Sequence, residues 1–286
     1  MIDGIRKGLG YRFPRLGPIG FRLFSKVCPK RIDSEILPGI RTTLDLSDDM
    51  QRTVYWQGRR YEESTIDFLL AQSEGIECFF DIGANFGFVS YVMLSECPDL
   101  HVYSFEPNPL LFRAMSATKE RNKLTRFTPV QAGLADGVGV LPLHVSSSNS
   151  GYSTFGPHPE FLDSNSGSVL VSILSFEQWR ADQGIPIPDR PAWLAKIDAE
   201  GYELKAIKGM ASSLAAHRFR CVCIELNKYT LSFCGHTPSD ILGFMGQFGY
   251  WPHDERGHPV SKDDAPGNRN VFFLPRPTSS TDLPMS

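Results

Sequence analysis

Apolar and polar positions alternate along this chain in a way that predicts strands and helices in turn. Residues 78–82 form a short continuous apolar run, the pattern of a strand buried on both faces. Residues 88–97 follow as a helix, 101–105 as a strand, and 109–122 as a helix with Pro109 in its first turn. Residues 127–133, 193–197 and 221–226 read as further strands, and 202–215 and 238–248 as the helices after the last two. Upstream, residues 62–72 have helical spacing at Ile66, Leu69 and Leu70, with Ser64 and Thr65 suited to a cap. Residues 40–46 and 52–56 read as short strands, and 249–251 and 271–274 as a final pair. The alternation predicts an α/β fold, a doubly wound and mostly parallel sheet.

Two regions depart from that rhythm. Between the third and fourth core strands lies an insertion of about residues 136–191. It holds a strand at 138–145, a polar loop at 146–151, a strand at 169–174 that could pair with an earlier one, and a short helix at 175–183 with Ser175 as cap and Trp179 turned inward. Residues 1–31 carry eight basic side chains against Asp3 alone, a net +7, which leaves −10 for the rest of a chain whose total is −3. Such an arm is drawn to something acidic, whether a membrane surface, an anionic substrate or the body of the protein. The expected organisation is a basic arm with short strands over 1–59, one domain over 60–275, and a disordered Pro/Ser/Thr-rich tail over 276–286.

Composition adds two limits. No stretch approaches 18 apolar residues, so no membrane-spanning segment is expected, and the charged N-terminus lacks the apolar region of a signal peptide. The six cysteines form no C-x-x-C pair; Cys221 and Cys223 share one face of a strand, as reduced core residues of a cytoplasmic protein do.

Chemistry should sit just beyond the carboxyl ends of the strands. After the first comes Asp81-Ile82-Gly83-Ala84-Asn85-Phe86-Gly87, whose glycines allow close backbone approach to a ligand. This D-x-G-x-N-x-G turn carries no phosphate-gripping lysine and begins with an acid. The sulfonium and amino groups of S-adenosylmethionine suit those electrostatics better than a dinucleotide, although such a turn also occurs as mere architecture. After the second strand stands Glu106, 25 residues beyond Asp81, near the spacing at which a carboxylate takes two ribose hydroxyls. Ala135 and Asp136 follow the third strand, where an acid could meet an adenine amino group or simply make a D-G turn. After the fourth comes Lys196-Ile197-Asp198-Ala199-Glu200-Gly201-Tyr202-Glu203, three carboxylates within six residues. Asp198 and Glu200 are expected to face the site, and Glu203 to complement the helix dipole. Glu225 ends the fifth strand.

These segments, with Phe105-Glu106-Pro107-Asn108-Pro109 and Tyr61-Glu62, resemble the FkbM-type methyltransferase family, a branch of the S-adenosylmethionine-dependent methyltransferases with a seven-stranded doubly wound, Rossmann-like sheet. The resemblance spans about residues 50–255, and the K-I-D-x-E-G-x-E segment points to this branch. It implies methyl transfer to a hydroxyl of a small molecule: a sugar, a glycoside or a polyketide-like natural product. It also implies that Asp81, Gly83, Asn85 and Gly87 hold the methionine part, Glu106 the ribose, and Asn108 and Asp136 the adenine side, with Tyr61 and Glu62 closing over the methionine end. Substrate choice would live in the arm and the insertion.

Asp198 and Glu200 are the candidate bases for the hydroxyl proton, with His236 in the loop after the fifth strand as an outsider. Asp198, Glu200 and Glu225 could instead hold a divalent cation, and an all-carboxylate set suits magnesium. Three alternatives stay open: an N-methyltransferase acting on a small-molecule or peptide amine, a non-catalytic S-adenosylmethionine-binding protein, and a membrane contact through Leu9, Phe13, Phe21 and Phe24 beside the arginines. The −10 body argues against a nucleic-acid track.

Overall fold

A computed structural model describes residues 29–146, 148–156, 167–261 and 268–276. Most of the basic arm, the middle of the insertion and all but Arg276 of the C-terminal tail lie outside the described residues.

Seven strands make the main sheet: β3 (Cys78–Ile82), β4 (His101–Phe105), β5 (Phe127–Val130), β9 (Trp193–Ile197), β10 (Phe219–Asn227), β11 (Tyr250–His253) and β12 (Asn268–Pro275). Their spatial order is β11-β12-β10-β9-β3-β4-β5. The run from β10 to β5 is parallel, and β12 is inserted antiparallel between β10 and β11. The chain lays down β3, β4 and β5 in one direction, then crosses back to place β9 and β10 on the other side of β3. The reversal falls between β3 and β9, where a doubly wound sheet leaves its ligand crevice.

Helices cover both faces, which explains the unbroken apolar runs. Successive residues of β3 point to opposite sides. Phe80 packs with Phe176, Trp179, Trp193 and Phe219 on one face, while Phe79 packs with Tyr91, Val102 and Cys223 on the other. The second core also takes in Ile36, Leu44 and Tyr55, from the hairpin of β1 (Arg31–Leu37) with β2 (Ile40–Asp45) and from α1 (Asp49–Gln57). Cys221 and Cys223 are buried and unpaired, as expected of core thiols.

Four elements differ from the sequence reading. Residues 52–56 are not a strand but belong to α1, because the Asp48 carboxylate accepts the Gln51 N–H and starts a helix there. Helix α2 (Glu63–Ala71) has no side-chain cap; Glu62 enters it in a left-handed conformation, and Thr65 Oγ1 accepts from Asn270 Nδ2 at 2.8 Å instead. After α3 (Phe88–Glu96) and α4 (Pro109–Asn122), the strand read through residue 133 stops at Val130. The chain then turns into a separate three-stranded sheet of β6 (Gly133–Ala135), β7 (Gly139–Val145) and β8 (Gly167–Ser175), with β8 in the middle. Beyond α5 (Phe176–Asp182), the single helix read over 202–215 is two, α6 (Glu203–Lys208) and α7 (Ala211–Ala215). They part at Gly209, where a side chain would overlap the Ala135 carbonyl of β6. Helices α8 (Lys228–Phe233) and α9 (Pro238–Gln247) follow β10, and α9 opens with a capping box between Thr237 and Asp240.

The Phe80 ring lies 4.9 Å from Phe176, 5.4 Å from both Tyr103 and Trp193, and 6.1 Å from Phe219, centroid to centroid. Phe80→Ala would open a cavity at the centre of that cluster. The expected cost is about 3–5 kcal/mol of unfolding free energy, checked by urea denaturation; a loss below about 1 kcal/mol would contradict this packing.

Candidate active site

The first wall of the site is the turn after β3. Asp81 is 1% exposed, and its Oδ2 accepts the Ser90 hydroxyl at 2.5 Å; Ser90 in turn lies 2.6 Å from the Ser104 hydroxyl. Gly83 has φ +78°, and any side chain there would overlap the Asp198 carbonyl of the neighbouring strand end. Glycine is therefore required by close approach as well as by backbone angle. The turn does not bring its amides to a ligand, contrary to what its glycines suggest in the sequence. The N–H groups of Gly83 and Ala84 both donate to the Phe105 carbonyl at 3.0 Å, and Asn85 N–H donates to Glu106 Oε2 at 2.8 Å. Glu106 Oε1 takes the Asn108 N–H, also at 2.8 Å. What this wall presents is carboxyl groups rather than free amides. Burial pushes the Asp81 carboxyl up to about 6 and Glu106 up to about 8.

The opposite wall follows β9. Lys196 is 3% exposed; its Nζ lies 2.8 Å from Asp198 Oδ2 and 3.7 Å from Glu62 Oε2. Burial alone would lower this ammonium, but Asp198, Glu62 and Asp81 together hold it well above its ordinary value. Glu203 folds back under the loop, and its Oε1 accepts the Ala199 and Gly201 N–H groups at 2.9 and 3.1 Å. One carboxylate oxygen from each of Asp198, Glu200 and Glu225 lies within 4.8 Å of the others. The Asp198 charge, followed by burial and Glu200, pushes Glu225 up to about 10; burial, then Asp198 and Glu203, raises Glu200 well above its ordinary range. These three could hold a divalent cation, and their all-oxygen chemistry suits magnesium.

A cleft partly open to solvent separates the walls. Among the described residues its lining holds the carboxyl groups of Glu62, Asp81, Glu106, Asp198 and Glu200 and a single basic side chain, Lys196. Asn85 and Gly83 line it too, as does Tyr61, whose hydroxyl donates to Met50 Sδ at 2.7 Å and whose ring meets Phe88 edge-on.

The structure places the other sequence candidates off that wall. Gly87 starts α3 and closes on Tyr91 and Met115. Asn108 caps α4, accepting the Leu110 N–H at 3.0 Å. Ala135 packs its carbonyl against Gly209, and Asp136 pairs with Lys205 at 3.1 Å; Ala132, Gly133 and Leu134 form the wall there instead. His236 folds back on α8, its N–H bonded to the Leu231 carbonyl, outside the cavity lining. The sequence reading gave no role to Lys196, Ser150 or Phe155, all of which line the cavity. For Lys196 a signal existed: a lysine inside an otherwise apolar buried strand needs a charged partner.

Comparisons with known proteins identify the family. A family model described as the methyltransferase FkbM domain matches residues 81–252. The chain is 26% identical over 193 residues to the hexuronic acid methyltransferase AglP of Haloferax volcanii, covering 66% of this chain and 69% of the relative. It is 30% identical over 156 residues to the methyltransferase sdnD of Sordaria araneosa, covering 46% and 59%. Among solved structures, it is similar to M. jannaschii TYW2 in complex with AdoMet, at a TM-score of 0.40 and 15% identity, covering 87% of this chain and 88% of that one.

The raised carboxyls fix a sign for pH dependence. Asp81 moves from 3.8 to about 6 and Glu106 from 4.5 to about 8 on folding. Each contributes stability that is fully present below its unfolded value and is lost as pH rises through its folded one. The unliganded protein should therefore lose stability between about pH 5 and pH 8, and Glu106→Gln should flatten the upper part of that decline. Denaturation midpoints across pH check this; a midpoint that climbs toward pH 8 in the wild type would contradict it.

Proposed function

The chain belongs to the FkbM methyltransferase family, and we propose that it transfers a methyl group from S-adenosylmethionine to a hydroxyl of a small molecule, of the sugar, glycoside or polyketide-like kind. The observation that carries the cofactor half is the charge of the cavity: five carboxyl groups and one ammonium face the same space. A pyrophosphate would meet repulsion there and no free amides, whereas a ligand bearing sulfonium and ammonium groups is attracted.

When bound, S-adenosylmethionine supplies an electrophilic methyl carbon. The chain supplies the rest. Glu106 has both oxygens anchored by backbone N–H groups and keeps lone pairs for two ribose hydroxyls. Tyr61, Glu62, Asp81 and Asn85 surround the space assigned to the methionine part. Asp198 is the carboxylate suited to take the acceptor's hydroxyl proton: it lines the cavity, its side chain is 26% exposed, and Lys196 fixes its Oδ2. Glu200 and Glu225 stand next to it, either to share that proton or, with Asp198, to hold a cation that polarises the hydroxyl. The hexuronic acid methyltransferase relative favours an acceptor of the sugar type.

Calorimetric titration of S-adenosylmethionine tests the cofactor half. Wild type should bind, and Asp81→Ala and Glu106→Ala should abolish measurable binding; absence of binding by folded wild type would overturn the proposal. Turnover of hydroxylated acceptors, with and without magnesium, tests the rest. Asp198→Asn should lower kcat by roughly 10²–10⁴-fold. Full activity of that variant would point to an amine acceptor, which needs little help from a base.

A further inference from the structure

The polar loop after β7 is fastened to both walls of the cavity by residues distant in sequence. Ser150 N–H donates to Asp48 Oδ2 at 2.6 Å, and the Ser150 hydroxyl lies 3.1 Å from Asp48 Oδ1 and 3.0 Å from Asn85 Oδ1. Asp48 is 9% exposed and also caps α1, and Asp49 N–H donates to the Ser148 carbonyl at 3.0 Å. Further on, Thr154 bridges to His144, its hydroxyl donates to the Glu200 carbonyl at 2.8 Å, and the Phe155 ring lies 4.8 Å from Tyr202. Residues 148–156 thus form a strap. One attachment is on the turn that holds Glu106, and the other is on the loop that carries Asp198 and Glu200.

Asn85 joins the two systems. It sits in the left-handed region at φ +54°, a conformation asparagine can adopt when its short side chain bonds locally. Its Oδ1 takes the Phe86 N–H at 2.8 Å together with the Ser150 hydroxyl, and its own N–H holds Glu106. Glu106, Asn85 and the strap are thus linked by consecutive hydrogen bonds. The strap in turn presents Ser153 and Phe155 to the cavity.

We propose that Ser150 is a positioning residue that couples cofactor binding to the order of the acceptor wall. This rests on the methyl-transfer reading above. Because coupling free energies are reciprocal, whatever orders the strap also tightens the cofactor site. The single hydroxyl proton is within reach of both Asp48 Oδ1 and Asn85 Oδ1; because the backbone N–H of residue 150 holds Asp48 whatever the side chain, the bond to Asn85 is what the hydroxyl adds.

Hydrogen–deuterium exchange of the amides from Ser150 to Gly156, with and without S-adenosylhomocysteine, tests the coupling in wild type, Ser150→Ala and Ser150→Thr. In wild type, the ligand should slow strap exchange about tenfold. Ser150→Ala should remove that ligand-dependent protection and weaken S-adenosylhomocysteine binding about fivefold by calorimetry, the size of one net hydrogen bond. Its KM values for cofactor and acceptor should rise together, with kcat within about twofold, as for lost uniform binding. Ser150→Thr keeps the hydroxyl and should restore both protection and affinity. Ligand-dependent protection that survives in Ser150→Ala overturns the coupling, as does a variant that is merely less stable with unchanged affinity. If the ligand binds wild type and leaves the strap's exchange unmoved, the coupling alone falls. If it does not bind wild type at all, both readings fall.

Discussion

The ion pair between Lys196 and Asp198 lets several carboxyl groups share one cavity at the carboxyl edge of the sheet. An ammonium buried to 3% exposure would by itself be costly, and so would the acids around it. Placed 2.8 Å from Asp198 and 3.7 Å from Glu62, each side offsets the cost of the other. The balance is incomplete. Asp81, Glu106, Glu200, Glu203 and Glu225 are all raised, so these carboxyls hold their protons to higher pH than free ones do, and a cationic ligand would displace those protons. Carboxyls that resist ionisation in this way cost the fold stability as the pH rises. This is a feature expected of a binding site rather than of a core.

This cluster of carboxyls depends on backbone placement as much as on charge. β3 and β9 are neighbours in register, Asp81 opposite Lys196 and Ile82 opposite Ile197, and the Asp198 N–H continues the ladder onto the Ile82 carbonyl. The strand ends are so close that Gly83 can carry no side chain. The acid that opens the first motif and the lysine that opens the fourth are thus cross-strand partners, although 115 residues of sequence separate them. The long insertion between these strands is possible because the crossover leaves the sheet before returning beside β3.

What could be read from the sequence was whatever local pattern controls. The apolar runs gave the strands of the main sheet because both faces are covered, and the D-x-G-x-N-x-G and K-I-D-x-E-G-x-E segments gave the two walls because each motif is one strand end with its turn. Reading failed where a distant partner decides the outcome. Residues 52–56 are rich in β-branched and aromatic side chains, as strands are, yet Asp48 caps them into a helix. Residues 202–215 have continuous helical spacing, yet the Ala135 carbonyl forces a break at Gly209. Asp136 and Asn108 occupy the right place in the motif order, but one is engaged by Lys205 and the other by the start of α4. Ser150 was invisible because nothing in a run of serines says that Asp48 and Asn85, 102 and 65 residues away, are its partners.

The same contrast separates the two halves of the site. The half assigned to the cofactor is built from strand ends inside the two large cores, where a change in one side chain disturbs the packing of β3, β4 or β9. The wall assigned to the acceptor is the strap and the edge of the three-stranded sheet, which Leu134 and Phe155 pack against the main domain and which polar bonds at Asp48, Asn85 and Glu200 fasten. Such a wall can change its lining with little cost to the core, provided those anchors are kept. Acceptor specificity can therefore vary over a constant cofactor site, with Ser150 and Thr154 holding the variable wall in register with the fixed one.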